Sequence, residues 1–202
     1  MIFKNLKQAL ASPTQVSVLK INQHEILPET VSSMHDLREL YLNSTKAWEM
    51  PKFLKEFRKL KKIELVMSNL ERIPQIFFEL ESLEILTIKS SNITDWNIPI
   101  HVSSPISSLN LSHNLLTEIP SSIEQITTLK TLFLSHNQIS SISRAFNQLK
   151  SLQRLNLDHN LLEQIPDFIF KNEQLNYLSL DGNPLNEESR KNLAEKFKLS
   201  NI

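Results

Sequence analysis

A hydrophobic pattern that recurs every 23 residues constrains the fold of this chain more than any other feature of its sequence. The pattern is Leu-x-x-Leu-x-Leu, and its clearest copy places Leu152, Leu155 and Leu157 ahead of Asn160. Units with this spacing begin at residues 37, 60, 83, 106, 129, 152 and 175, and a shorter unit of 21 residues begins at Val16. A constant interval over so many units predicts a repeat architecture.

Each unit is too small to bury its own apolar side chains, so the units must stack. The Leu-x-x-Leu-x-Leu segment is predicted to be a short strand whose alternate residues point inward. The return segment, Ile-Pro-x-x-Ile-x-x-Leu, contains proline, which disfavours a long helix. The sequence therefore predicts an α/β solenoid shaped like a horseshoe, with a concave parallel sheet and an irregular or 3-10 convex side.

A stack of repeats must also cover its two ends, so we expect a single domain over 1–202 with a helical cap at each end. The predicted parts are an N-terminal cap over 1–15, eight repeats over 16–185 starting at 16, 37, 60, 83, 106, 129, 152 and 175, and a C-terminal helical cap over 186–202. The apolar cap residues are predicted to be Phe3, Leu6 and Leu10 at the first end, and Leu193, Ala194 and Phe197 at the second.

One polar position recurs inside the stack. It holds Asn114, Asn137, Asn160 and Asn183 in the second half of the chain. A buried amide there can bond backbone groups that the turn leaves unpaired, so we predict an asparagine ladder. In the first half the same position holds His24, Thr45, Ser68 and Ser91. A hydroxyl has fewer donors than an amide, and we therefore predict that the N-terminal turns are less rigid.

Composition excludes several kinds of site. Lys plus Arg equals Asp plus Glu at 22 each, which argues against a general nucleic-acid or anionic-membrane binder. The chain has no cysteine, so disulfides and thiolate zinc sites are excluded, and its only glycine, Gly182, rules out a Gly-rich phosphate loop. The chain contains no run of 18 apolar residues, so its sequence predicts no transmembrane segment. We expect neither a cofactor nor enzymatic activity, because no nucleophile-elbow motif is present.

The repeats resemble the leucine-rich-repeat superfamily, and the 23-residue Ile-Pro variety is similar to bacterial members. Segment 3–21 looks like the N-terminal cap and first strand of leptospiral members, and segment 180–188 looks like their C-terminal cap. The resemblance covers essentially the whole chain, apart from the short first repeat and the missing early asparagines. It implies an interaction module that is secreted or surface-exposed after loss of a signal peptide and engages a host protein. The alternative location is the cytoplasm.

The residues at positions 3, 5, 7 and 8 of each unit are predicted to face the concave side or its edge. Aromatic residues and arginine commonly anchor interfaces, although isolated exposed apolar residues are also common in proteins without a partner there. The predicted partner-binding residues are Tyr41, Glu64, Val66, Met67, Ile85, Phe133, Arg154, Asn156, Tyr177 and Asp181.

Three histidines, His113, His136 and His159, stand at position 8 of consecutive repeats. They should form a column with neighbours about 5 Å apart. Such a column could hold zinc or another divalent ion, or could make a pH-sensitive contact. The alternative is that Ser-His-Asn merely fills the position before the ladder asparagine.

The stretch 52–62 is rich in lysine and arginine and could form a patch for phosphate or acidic lipid. However, Arg58 and Lys61 each lie one repeat from an acid, Glu81 and Glu84. Neighbouring coils can therefore neutralise each other, and a paired, solvated face is the favoured interpretation.

The sequence as a whole favours a monomeric module that binds a protein partner on its concave face. Two alternatives remain open: a structural protein that assembles through its edges or through metal, and a receptor for glycan or lipid. Trp48 lies outside the repeat template, and the sequence leaves open whether it contacts a ligand or packs on Met50 or Pro51.

Overall fold

The computed structural model describes residues 1–22, 27–43, 50–68 and 70–197 of the chain. Within these residues one parallel sheet of nine strands forms the concave side of a solenoid. Its strands follow one another in chain order and are Ile2–Phe3, Val18–Asn22, Glu39–Asn43, Lys62–Val66, Ile85–Lys89, Ser108–Asn110, Thr131–Phe133, Arg154–Asn156 and Tyr177–Ser179.

Neighbouring strands pair one repeat apart. Leu40 pairs with Ile63, a separation of 23 residues, whereas Leu19 pairs with Leu40, a separation of 21. Side chains alternate along each strand, so Leu40 and Leu42 are buried while Tyr41 between them is only half-buried. The predicted α/β leucine-rich-repeat solenoid with a parallel concave sheet is confirmed.

The convex side consists mainly of short 3-10 helices, as predicted. Most of them follow a proline, whose φ between −58° and −71° suits the entry into a turn and whose missing N–H costs no bond there. These segments are Pro13–Gln15, Glu29–Ser33, Lys52–Glu56, Gln75–Glu79, Ser121–Gln125 and Arg144–Gln148. One turn of α-helix, Asp167–Phe170, and a pair of short strands, Glu118–Ile119 and Ser141–Ile142, complete this side.

The convex row is interrupted in the repeat that starts at residue 83. Ile100 occupies the template position that is buried as Phe77 and Ile123 in neighbouring repeats, yet it is 79 % exposed. Trp96 stands four residues earlier, at a template position that is a buried isoleucine in the neighbouring repeats, and its Nε1 donates to the Glu118 carbonyl at 3.0 Å. Phe78 fills part of the core at this point with no exposed surface. The bulky indole has replaced the usual isoleucine, and the return segment takes a different path.

The two ends of the solenoid differ in how closely they follow the prediction. The N-terminal helix spans Leu6–Ala11 and is capped by Asn5, whose side chain accepts from the Gln8 amide at 3.1 Å. Phe3 was predicted on the same helical face, but it lies in an additional strand, Ile2–Phe3, that pairs with Val18–Asn22. Parallel pairing satisfies backbone groups at the sheet edge that a helix there would leave open.

The C-terminal helix spans Glu187–Phe197, with Leu193 and Ala194 half-buried. Lys196 ties this helix to the preceding repeat, because its Nζ donates to the carbonyls of Phe170 and Asn172 at 2.7 and 2.8 Å. The side chain of Phe197 lies outside the described residues, as do His24, Thr45 and Trp48.

The asparagine ladder is present. Asn137 is typical: its Nδ2 donates to the carbonyls of Leu111 and Leu134 at 3.0 Å, and its Oδ1 accepts from the Leu116 amide at 3.0 Å. Asn114, Asn160 and Asn183 repeat the pattern.

Two serines occupy the equivalent position in earlier repeats. The hydroxyls of Ser68 and Ser91 bond each other at 2.7 Å, and Ser91 also accepts from the Ser68 amide. These hydroxyls span fewer backbone groups than the amide of Asn137. The lower rigidity of the N-terminal turns stays a prediction.

Candidate functional site

None of the ten residues predicted to bind a partner is buried. Thr87 and Ser112 also point to this side, but neighbouring side chains cover them almost completely. The half-buried members are Tyr41, Glu64, Val66, Phe133 and Asn156, and the exposed members are Met67, Ile85, Arg154, Tyr177 and Asp181. Met67 and Asp181 stand at the edge, beyond the ends of their strands, whereas the others are on the concave face.

Tyr41 is held in place near the N-terminal end of the concave face. Its hydroxyl donates to the Glu39 carboxylate at 2.6 Å. The Nζ atoms of Lys20 and Lys62 lie 4.2 and 4.8 Å from its ring centroid, in cation–π contact. Hydrogen bonding to the Glu39 carboxylate raises the pKa of the phenol, so Tyr41 stays a neutral donor. A second charge pair joins Lys62 to Glu64 at 3.2 Å.

A similar arrangement lies near the C-terminal end. The Arg154 guanidinium carbon is 4.5 Å from the ring centroid of Tyr177. Asp158 accepts from the hydroxyl of Ser179 at 2.6 Å and from the amide of Asn156 at 2.8 Å. The side chains that a partner would meet here are therefore already oriented before binding.

Between these two ends, two neighbouring strands form an uncharged part of the face that consists mostly of small side chains. The strands Ser108–Asn110 and Thr131–Phe133 present Ser108, Asn110 and Thr131 around Phe133. Phe133 pairs in register with Asn110 on one side and with Asn156 on the other. An apolar ring surrounded by amides and hydroxyls can contact a partner's side chain while its neighbours donate or accept hydrogen bonds.

The three histidines form the predicted column, and their rings stack face to face. The ring centroids of His113 and His136 are 4.3 Å apart, and those of His136 and His159 are 4.4 Å apart, with interplanar angles of 11° and 17°. The nitrogen lone pairs lie in the ring planes, so parallel rings do not direct them at a common point. In the part of the chain that the structure describes, no three His, Asp or Glu side chains are grouped to hold a metal. This geometry does not support the metal hypothesis.

Position 8 requires an unusual backbone conformation. The φ angles of His113, His136 and His159 are 58°, 55° and 53°, in the left-handed region. Gly182 occupies the same position in the last repeat, with φ 72°, and a Cβ atom there would lie 2.9 Å from Cε1 of His159 and closer still to its Nδ1. The place of Gly182 in the same column as the three histidines could have indicated this left-handed backbone from the sequence, but the sequence analysis did not use that signal.

Replacing Gly182 by alanine should lower the free energy of unfolding by about 1–3 kcal/mol, because the new Cβ meets the His159 ring in a left-handed backbone. Urea denaturation measures the loss. Ser90→Ala is the matched control, since Ser90 already carries a Cβ at the equivalent position with φ 50°. Equal stability of the two variants would contradict the contact between Gly182 and His159.

The basic stretch 52–62 is largely paired, as favoured from the sequence. Arg58 and Lys61 contact Glu81 and Glu84 at 2.6 and 2.7 Å. Other pairs across neighbouring coils are Lys59 with Asp36 and Lys55 with Glu79. These side chains are about half exposed or more, so each pair contributes only about 0–1 kcal/mol.

Comparison with known proteins agrees with the repeat architecture. Residues 104–162 and 128–185 match the model of the leucine rich repeat family. An internalin (inlF) of Listeria monocytogenes is similar with a TM-score of 0.73 and 22 % identity, covering 98 % of this chain. This chain spans only 56 % of that internalin's length. Internalin C2 of the same organism is similar with a TM-score of 0.74 and 23 % identity, covering 93 % of this chain and 80 % of its own.

A Leptospira interrogans LRR protein is also similar, with a TM-score of 0.42 and 15 % identity over 100 % of this chain and 99 % of its own. A search of curated protein sequences gives no match. Among the described residues, no helix is long and apolar enough to cross a membrane.

Proposed function

Because this chain is a leucine-rich-repeat solenoid, we propose that it binds a protein partner on its concave face. The fold is a common protein–protein interaction module. The observation that carries the proposal is a set of three unburied aromatic side chains on this face, with Tyr41 near one end, Phe133 further along and Tyr177 near the other end.

Two of these aromatic side chains are already oriented in the free protein. Lys20 and Lys62 flank the ring of Tyr41, and Arg154 lies on Tyr177. A side chain that is ordered before binding loses less conformational entropy when the partner arrives. Aromatic residues with few rotatable bonds are also the residue types that dominate measured interface energies.

The finer parts of the proposal rest on the resemblance to bacterial repeat proteins. We propose a bacterial protein that is secreted or exposed at the cell surface and that binds a host protein. The similar internalins are themselves bacterial proteins. The leucine-rich-repeat family and these similar structures are non-enzymatic binding scaffolds, and the proposal includes no catalytic step.

Replacing Tyr41, Phe133 and Tyr177 together by alanine should weaken partner binding at least about 30-fold, because each substitution removes an interface anchor. A pull-down with the wild-type protein identifies the partner by mass spectrometry. Calorimetric titration of the purified partner into both proteins then measures the difference in affinity.

The matched control replaces Leu115, Leu161 and Ile100 by alanine, since these are apolar, exposed and off the concave face. Both triple variants must retain the wild-type melting temperature before capture is compared. Loss of capture by the control alone would place the site elsewhere. Binding of the wild-type protein to glycan or lipid arrays in the absence of a protein partner would favour a glycan or lipid receptor. Self-association would favour a structural protein that assembles through its edges.

A further inference from the structure

The stacked histidine column has a property that partner binding does not explain. Its three imidazoles are exposed at the edge of the concave sheet, with adjacent ring centroids 4.3 and 4.4 Å apart. No carboxylate of the described residues comes within ion-pair distance of the three rings. Neutral rings can stack in this way, whereas charged rings at such distances repel one another.

The backbone holds the three rings in register. The amides of His113, His136 and His159 donate to the carbonyls of Ser135, Asp158 and Asp181 in the next coil, at 2.9, 2.8 and 2.6 Å. The left-handed φ angles fix the direction of each Cβ. Each histidine also immediately precedes an asparagine of the buried ladder. Repulsion can therefore be relieved only by turning the rings away or by disturbing these coils.

The middle ring is affected most. Loss of hydration within the stack lowers the pKa of His136, and the charges of His113 and His159 lower it further. Asp158 is the one acidic group that opposes this effect. The central imidazole therefore takes up its proton at a lower pH than an ordinary histidine.

We propose that the histidine stack is an acid-responsive seam, in which successive protonation of neighbouring rings separates them and loosens the coils between residues 106 and 182. The neutral stack joins three consecutive repeats along one edge. The protonated stack places like charges on the same edge, and Asp158 is the acidic group that opposes them at His136.

The sign of the effect on stability follows from the titration of His136. An unfolded histidine has a pKa of about 6.5. In the folded protein His136 binds its proton only at a lower pH. The unfolded chain therefore holds more protons than the folded one as the pH falls below about 6.5. The stabilisation by the stack is complete above that pH and is lost as the pH falls toward the folded-state pKa.

The first test follows the histidine Cε1 protons by NMR from pH 7.5 to 5 in the wild-type protein and in His136→Asn. Asparagine tolerates the left-handed backbone, so the substitution removes the central ring with little strain. We expect His136 to titrate below the ordinary histidine range. The variant identifies the His136 signal by its loss.

The second test compares melting temperatures over the same pH range. The wild-type protein should lose a few degrees more than His136→Asn on acidification, while His101→Asn should lose as much as the wild type. Two results would overturn the proposal: a His136 midpoint in the ordinary histidine range, or an equal loss of melting temperature in the wild type and His136→Asn. Neither measurement requires the binding partner.

Discussion

Replacing Leu132 by alanine should lower the free energy of unfolding by about 2–5 kcal/mol. Leu132 has no exposed surface, and its strand lies between the strands that carry Leu109 and Leu155, with which it pairs in register. Truncation removes buried apolar surface and leaves a cavity in the middle of the stack. The leucines on both sides are fixed by their own strands, so they cannot close the space.

Urea denaturation followed by circular dichroism measures this loss, and Leu161→Ala is its matched control. Leu161 undergoes the same chemical change but is 54 % exposed, so we expect a loss within about 0.5 kcal/mol. Similar losses in both variants would contradict the register in which alternate strand residues form the core.

Replacing Asn137 by alanine should lower the free energy of unfolding by at least about 3 kcal/mol, because the buried Leu116 amide loses its side-chain acceptor and two buried carbonyls each lose one of their two amide donors. The carbonyls of Leu111 and Leu134 lose a donor, and the amide of Leu116 loses its acceptor. These groups belong to two consecutive repeats, so the substitution weakens the contact between coils as well as one turn.

Native-state hydrogen exchange at the Leu116 amide measures the local effect, and denaturant unfolding measures the global one. Asn110→Ala is the control, since Asn110 is half-buried on the concave face and accepts only from the Ser112 amide at 3.0 Å. If removing Asn110 proves as costly as removing Asn137, the ladder is not the stabilising element that its geometry indicates.

Much of the fold was predictable because a repeat makes long-range contacts readable from local spacing. Residues one period apart become neighbours in the sheet, so the core leucines and the asparagine ladder follow from the alignment of units. The ion pairs of Arg58 with Glu81 and of Lys61 with Glu84 were predictable for the same reason. The concave positions also followed from strand alternation, although whether they bind a partner stays a prediction.

Departures from the template were not predictable, because they depend on side-chain volume and orientation. Ile100 fits the core pattern, yet it is exposed, in a return segment that lacks the 3-10 helix of its neighbours. The spacing of the histidines placed them in a column, but only the ring orientations distinguish stacking from chelation.

The sequence by itself determined the solenoid, its register, its buried leucines and its asparagine ladder. The tertiary structure alone decided that Phe3 extends the sheet, that the single glycine makes room for His159, and that the tyrosines are held by neighbouring cations. The physical reason is that a period specifies which residues are neighbours, whereas packing specifies how their side chains face one another.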